Sequence, residues 1–299
     1  MQRREFLKNS SLSVISVCAY GSIHFDGERY VGDCETTSDI LGPFYRPGSP
    51  VRNNLAIYAD EHDDLVKLSG FVRHDDCTTP LTHAKIELWH CNSKGEYDNH
   101  SPEYRYRGTA YSNETGHYSF LTHLPVPYHD SPIHLRPAHY HLMITAENYL
   151  PFMTQLYFSG DPYIKDDIYS SAPAAEKRIL AVGKSTEGNK KVSFDINMSL
   201  TKPNHAPMID QLVGSYTDTE NSQNKVTFFK HENELWMKNQ AFGYRFIYTG
   251  YNKFEAPGHP ATKTWTLLFD IYSSGDVKLT ENFTDIKMVQ HTLISMKDK

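Results

Sequence analysis

The residues best suited to chemistry stand in Arg136-Pro137-Ala138-His139-Tyr140-His141. On an extended chain, side chains two apart leave the same face, so His139 and His141 are presented together while Tyr140 and Leu142 face away. Two imidazoles on one face can meet one metal ion. Taken alone, however, a His-x-His pair serves cupins, zinc enzymes and copper sites alike. Two further segments each deliver a tyrosine. The run Ile86-Glu87-Leu88-Trp89-His90-Cys91-Asn92-Ser93-Lys94-Gly95-Glu96-Tyr97 reads as a strand entering a turn, with Gly95 two residues before Tyr97. The run Thr122-His123-Leu124-Pro125-Val126-Pro127-Tyr128 stops at prolines and places Tyr128 eleven residues before His139.

The elements that position these residues read as β structure. Short apolar runs recur at Leu68–Val72, Ala84–Trp89, Tyr118–Thr122, His139–Thr145 and Met153–Phe158, separated by turn residues such as Asn113-Glu114-Thr115-Gly116. Val192, Phe194, Ile196, Met198 and Leu200 alternate with polar residues, the pattern of one strand with a buried face, and a short helix is expected over Ala172–Ala181. The Pro-punctuated stretch Thr201–Pro207 reads as a linker. Beyond it come further strand signals, at Val226–Phe229, Glu234–Lys238, Tyr244–Tyr248, Trp265–Ile271 and Asp276–Thr280, with turns at Asn233 and Ser273-Ser274-Gly275. The expected fold is all-β: a β-sandwich followed by a small antiparallel barrel or sandwich. The boundaries expected are 1–21 for an export signal, 22–202 for the sandwich, 203–207 for the linker and 208–299 for the second domain. No metal or nucleophile constellation shows in that second half, where His231, His259 and His291 read as surface or structural residues.

The three chemistry-bearing segments, with Gly42-Pro43-Phe44-Tyr45 upstream and Met153-Thr154-Gln155-Leu156-Tyr157-Phe158-Ser159-Gly160-Asp161-Pro162 downstream, resemble the intradiol ring-cleavage dioxygenases, the group of the catechol and protocatechuate enzymes. The resemblance runs in order from Leu41 to Ile164 and more loosely to Leu200. It implies that Tyr97, Tyr128, His139 and His141 hold a non-haem Fe(III), with water or hydroxide as a fifth ligand. Phenolate is a hard, strongly donating anion that favours ferric over ferrous iron, unlike the two-His-one-carboxylate triad. The implied substrates are a small aromatic diol and O2, and the implied product is a cis,cis-muconate-type diacid. Tyr128 would also take a substrate proton. Arg136 would stabilise charge on the ring, and Gln155 would hydrogen-bond near the iron-bound oxygens or position a ligand. Tyr45 and Trp89 read as walls or core, and His90 as structural. The loops 98–107 and 128–135 are expected at the pocket entrance, where Arg105 and Arg107 would favour a carboxylated ring or simply be solvated. Two competing readings are a binding protein that has lost catalysis and a metalloenzyme using the two histidines alone. The presence of all four implied ligand residues weighs against the first, and the paired tyrosines weigh against the second.

Composition bounds the partners. A formal net charge of −6 over 299 residues offers no basic field for nucleic acid. Paired Arg3-Arg4 ahead of the modest apolar stretch Leu12–Tyr20 resemble a twin-arginine export signal, which implies a periplasmic or otherwise exported protein. Ala19-Tyr20-Gly21 offers a cleavage site; lipidation at Cys18 competes, with bulky Val17 against it. No stretch approaches the roughly 20 apolar residues of a transmembrane helix. Removal of the signal would leave Cys34, Cys77 and Cys91; in an oxidising compartment Cys34 and Cys77 would pair most readily, leaving Cys91 reduced. Homo-oligomerisation is open.

Overall fold

The computed structural model describes residues 23–299 except 26–29, 33–35, 61–63, 132–133, 185–188, 200–208, 260–262 and 286. The export-signal segment, Cys18, Cys34 and the linker 203–207 therefore lie outside the described residues. After a hairpin of β1 (Ile23–Phe25) and β2 (Tyr30–Gly32), two sheets are built. One comprises β4 (Lys85–Trp89), β5 (Arg107–Tyr111), β9 (His139–Thr145), β10 (Phe152–Phe158) and β11 (Ile179–Leu180), in the order β11-β10-β9-β4-β5. The other comprises β3 (Leu65–Arg73), β6 (His117–His123), β12 (Gly183–Lys184), β13 (Lys190–Ser193) and β14 (Ile196–Asn197), with β6 paired to β3. A small hairpin, β7 (Tyr128–Ser131) and β8 (His134–Arg136), stands between β6 and β9.

The two sheets face each other across one apolar core, so the expected sandwich is present. Leu68 and Val72 of β3 and Phe120 of β6 meet Leu88 of β4, Leu142 and Ile144 of β9, and Leu156 of β10. The first sheet is unusual in being covered on its outer face as well. There Trp89, Met143 and Met153 form a second cluster with Leu41, Tyr45 and Trp236. That double burial explains why six successive residues of β9 are buried although half of them are not aliphatic.

The second half is a closed antiparallel barrel. Its strands are β15 (Gly214–Asp218), β16 (Lys225–His231), β17 (Glu234–Lys238), β18 (Gly243–Gly250), β19 (Lys253–Glu255), β20 (Trp265–Ile271), β21 (Val277–Thr284) and β22 (Gln290–Lys297). A short helix α1 (Ile209–Leu212) leads in, and β15 pairs with β22 to close the ring, which leaves no free sheet edge. Phe228, Phe246, Phe254, Leu267 and Phe269 fill the interior. Trp236, with Phe229 and Phe242 beside it, points outward into the cluster shared with the sandwich. Arg245 donates across the same junction to the Pro151 carbonyl at 2.8 Å.

Two local expectations change. The segment expected as a helix is a 3-10 turn, Pro173–Arg178, that hands over to β11. The strand expected over 192–200 is broken: Asp195 turns its carboxylate to the Phe71 amide (2.9 Å) and to Arg73 (2.9 Å), substituting for a backbone rung between β13 and β14. Among the described residues no helix is long and apolar enough to cross a membrane.

Candidate active site

His139 and His141 leave β9 on its outer face, away from Tyr140 and Leu142, which join the core. The His139 Nδ1–H donates to the Pro137 carbonyl at 2.6 Å. Because a carbonyl can only accept, the proton sits on Nδ1, and Nε2 presents its lone pair to the site. His141 lies flat on Trp89, with ring centres 4.9 Å apart and planes 8° apart.

Tyr97 arrives from the turn after β4. The Asn92 side chain accepts from the amides of Lys94 and Glu96, and Gly95 adopts φ +81°. A Cβ at Gly95 would stand 2.8 Å from Cβ of Tyr128, so glycine is what lets the two tyrosine-bearing segments come together. Phe44 then stacks on Tyr97 at 4.2 Å and meets Tyr128 edge-on at 6.2 Å. Tyr128 opens β7 directly opposite Arg136 on β8.

Four donor atoms converge. Tyr97 Oη lies 3.0 Å from His141 Nε2, 3.5 Å from His139 Nε2 and 3.4 Å from Tyr128 Oη. Tyr128 Oη is 3.4 Å from His139 Nε2, and the two imidazole Nε2 atoms are 3.1 Å apart. Such separations are the edge lengths expected of N and O donors sharing one cation at about 2 Å. Among the described residues no group of three or more His, Cys, Asp or Glu side chains is placed for a metal ion, so a cation at the tetrad would need the phenols as well as the imidazoles.

The electrostatics fit the same reading. Burial, reinforced by Arg136, holds His139 down at about 3, and burial with His139 nearby lowers His141 well below the ordinary imidazole range. Both rings are neutral, as ligands must be. Burial raises Tyr128 to about 12 and Tyr97 well above the phenol range. The phenols therefore hold their protons until a cation displaces them, and two phenolates would offset most of a trivalent charge.

Behind this tetrad lies a buried polar network. Arg136 pairs with Asp167 through Nε, and its Nη2 donates to Gln155 Oε1 at 2.6 Å and Tyr157 Oη at 3.3 Å. The Gln155 amide is thereby occupied, its Nε2 donating to the Ile40 carbonyl at 2.9 Å. Gln155 thus positions Arg136. Tyr157 donates onward to Asp39 at 2.9 Å, which pairs with Arg178. His90 is buried and bonded to Thr122 and the Cys91 carbonyl, Trp89 braces His141, and Tyr45 packs between Trp89 and Trp236.

A cavity of about 600 Å³ adjoins the tetrad. Tyr128, Asp130 and Arg136 contribute one wall, and Tyr244, His259, Lys263 and Trp265 of the second half contribute the other. Of the described residues in the two loops expected at its entrance, Tyr128 and Asp130 reach it. Arg107 is instead buried, donating to the carbonyls of Asp98 and Phe44 and to Asn99, while Arg105 is exposed. The barrel wall escapes the sequence because no spacing rule links His259 or Lys263 to residues more than a hundred positions upstream. His259, expected as a surface or structural residue, lines the cavity.

A family model described as Dioxygenase matches residues 40–200. Over 188 residues the chain is 36% identical to a chlorocatechol 1,2-dioxygenase of Rhodococcus opacus, covering 55% of this chain and 72% of that one. The chain belongs to the intradiol ring-cleavage dioxygenases. It is also 34% identical to a catechol 1,2-dioxygenase of a Pseudomonas species, over 52% of this chain and 56% of that relative. Among solved structures, a catechol 1,2-dioxygenase from an Acinetobacter species superposes with a TM-score of 0.50 at 25% identity, covering 56% of this chain and 63% of that one. The 3-chlorocatechol 1,2-dioxygenase of Rhodococcus opacus shares the fold with a TM-score of 0.50 at 23% identity, over 56% of this chain and 75% of that one. The family match ends before the barrel begins.

Proposed function

We propose that this intradiol-family protein opens the ring of a catechol-type diol between its two hydroxyl-bearing carbons, using a non-haem ferric ion held by Tyr97, Tyr128, His139 and His141. The convergence of two phenols and two neutral imidazoles, with Tyr97 Oη and His139 Nε2 each within 3.5 Å of the other three donor atoms, carries this reading. When bound, a ferric ion supplies Lewis acidity toward both diol oxygens, and cleavage that incorporates both atoms of O2 yields a cis,cis-muconate-type diacid.

The chain's own residues bind, orient and move protons. His139 is fixed by its Pro137 hydrogen bond and His141 by its stack on Trp89, so neither ring must reorganise when a ligand arrives. Tyr128 faces the cavity, and its phenol oxygen is the group placed to take up a diol proton. Arg136 also borders the cavity and is held by Asp167 and Gln155, giving a preorganised positive charge beside the ring. Phe44 and Leu41 help keep water out.

Oxygen uptake by the iron-loaded protein over catechol, protocatechuate and hydroxyquinol tests this. One O2 consumed per diol, with a ring-opened diacid as product, is expected; no uptake with any diol overturns it. The paired arginines at 3–4 and the disulfide bond of Cys77 support action outside the cytoplasm. Cell fractionation checks that, and recovery of the mature protein in the cytosol refutes it.

A further inference from the structure

The barrel sits against the active-site segment at very close range. Gly258 has φ +80°, and a Cβ there would stand 1.9 Å from the carbonyl carbon of Asp39 and 2.2 Å from its oxygen. Only glycine admits the chain at position 258 this close to Asp39 and Ile40, which lead to Leu41 and Gly42 at the cavity. His259 beside it, and Lys263 just ahead of β20, line the cavity with Tyr128 and Arg136.

Lys263 is the notable group. Its Nζ lies 3.1 Å from Tyr169 Oη, and 5.4 Å from the centre of a ring over which Arg136 Cζ stands at 4.9 Å. One cation from each half thus shares Tyr169. Arg136 has Asp167 as its ion-pair partner, whereas no carboxylate among the described residues is within ion-pair distance of Lys263. The acids on the same wall are otherwise engaged. Asp130 pairs with His134 at 2.9 Å, Glu281 accepts from Trp265 Nε1 at 2.7 Å, and Asp285 meets His291 at 3.0 Å while accepting from the Lys287 and Val289 amides. The Lys263 ammonium is drawn partly out of water with the Tyr169 phenol as its hydrogen-bond partner, and Asp130, Asp285 and Asp167 act on it only from beyond ion-pair distance, which leaves room for a carboxylate in direct contact.

The cavity also exceeds what a bare diol ring needs: about 600 Å³ falls in the range of sites that enclose drug-sized ligands, roughly 300–1,000 Å³. Ile40, Met153, Val226, Phe283 and Leu293 make much of its wall apolar, suited to a hydrocarbon arm. We propose that the barrel carries the substrate-reading end of the active site, with Lys263 and the Tyr169 hydroxyl receiving the carboxylate of a catechol that bears an acidic side chain. This rests on the ring-cleaving function proposed above.

The test compares kcat/KM of the iron-loaded full chain for catechol, 3-(3,4-dihydroxyphenyl)propanoate and the corresponding amine, 2-(3,4-dihydroxyphenyl)ethylamine. The acid is expected to be preferred over the amine by about tenfold or more, and Lys263→Met to lower the acid-to-catechol ratio by about tenfold, as loss of one partner of a desolvated charge pair requires. Lys263→Arg should restore part of the ratio, and Lys263→Glu should turn the preference toward the amine, which separates charge recognition from misfolding. An acid-to-catechol ratio unchanged in Lys263→Met, or an amine preference in the unmodified protein, overturns the proposal. Should the unmodified protein turn over no diol, the ring-cleavage reading fails, and the lysine site is judged on its own. Calorimetric binding of 3-phenylpropanoate to the metal-free full chain, weakened about tenfold by Lys263→Met, supports it; no binding, or equal binding, overturns it.

Discussion

At the scale of single residues, the proposed metal site depends on oxygen donors that are reluctant acids. Tyr97 and Tyr128 are both held protonated by burial, so a cation bound as proposed would have to release their protons, which favours one that is hard and highly charged. Removing one phenol oxygen therefore acts on the metal far more than on the fold. Tyr97→Phe keeps the ring that stacks on Phe44 and deletes only Oη. Since losing a mere outer-shell partner costs metal sites about 10–100-fold in affinity, loss of a direct donor should cost more than about 100-fold. The iron-loaded parent should show a visible tyrosinate-to-iron absorption. Tyr97→Phe should lose most of its iron on dialysis while keeping the parent far-ultraviolet dichroism. Full iron and unchanged colour in that variant would remove Tyr97 from the ligand set.

At the scale of elements, the sheet that carries the histidines is buried on both faces, whereas the other sheet is a conventional half of a sandwich. The far sheet should therefore tolerate damage without loss of chemistry. Asp195→Ala removes the clamp on the Phe71 amide and Arg73, at a half-exposed position, and should cost about 1 kcal/mol in denaturant unfolding. The rate of oxygen uptake should be unaffected; a matching fall in turnover would show that this edge is coupled to the site. The same clamp shows where sequence reading reached its limit. Alternation through Val192, Phe194 and Ile196 signalled a strand correctly in type, but a side chain replacing a backbone rung leaves no trace in periodicity. The positions of His139, His141 and Trp89 were legible because strand geometry fixes them locally. The approach of Tyr97 to Tyr128 was legible only through family resemblance, since it depends on a non-local contact at Gly95. The second-half wall, with His259 and Lys263, was not legible at all.

At the scale of the whole molecule, the two halves share a chain of ring contacts that runs from His141 through Trp89 and Tyr45 to Trp236, and a cavity with walls from both. Their union also fixes how the protein responds to acid. His90, inside the sandwich, is held well below 6.5 chiefly by burial, and His259, at the junction, is held at about 4 by burial and by Lys263. Both are neutral when folded and regain ordinary imidazole affinity for protons when unfolded. Their contribution to stability is thus complete above about pH 6.5 and is lost as pH falls toward and through the folded values, each group adding up to about 1.4 kcal/mol per pH unit to the slope. Measured on the metal-free protein, so that loss of iron does not intrude, unfolding free energy should fall steadily between pH 6.5 and 4. His259→Asn should flatten that slope by about one proton while changing it little above pH 7. A slope identical to the parent's would mean that His259 is already charged in the folded state, and that the junction between barrel and sandwich is wetter than its packing implies.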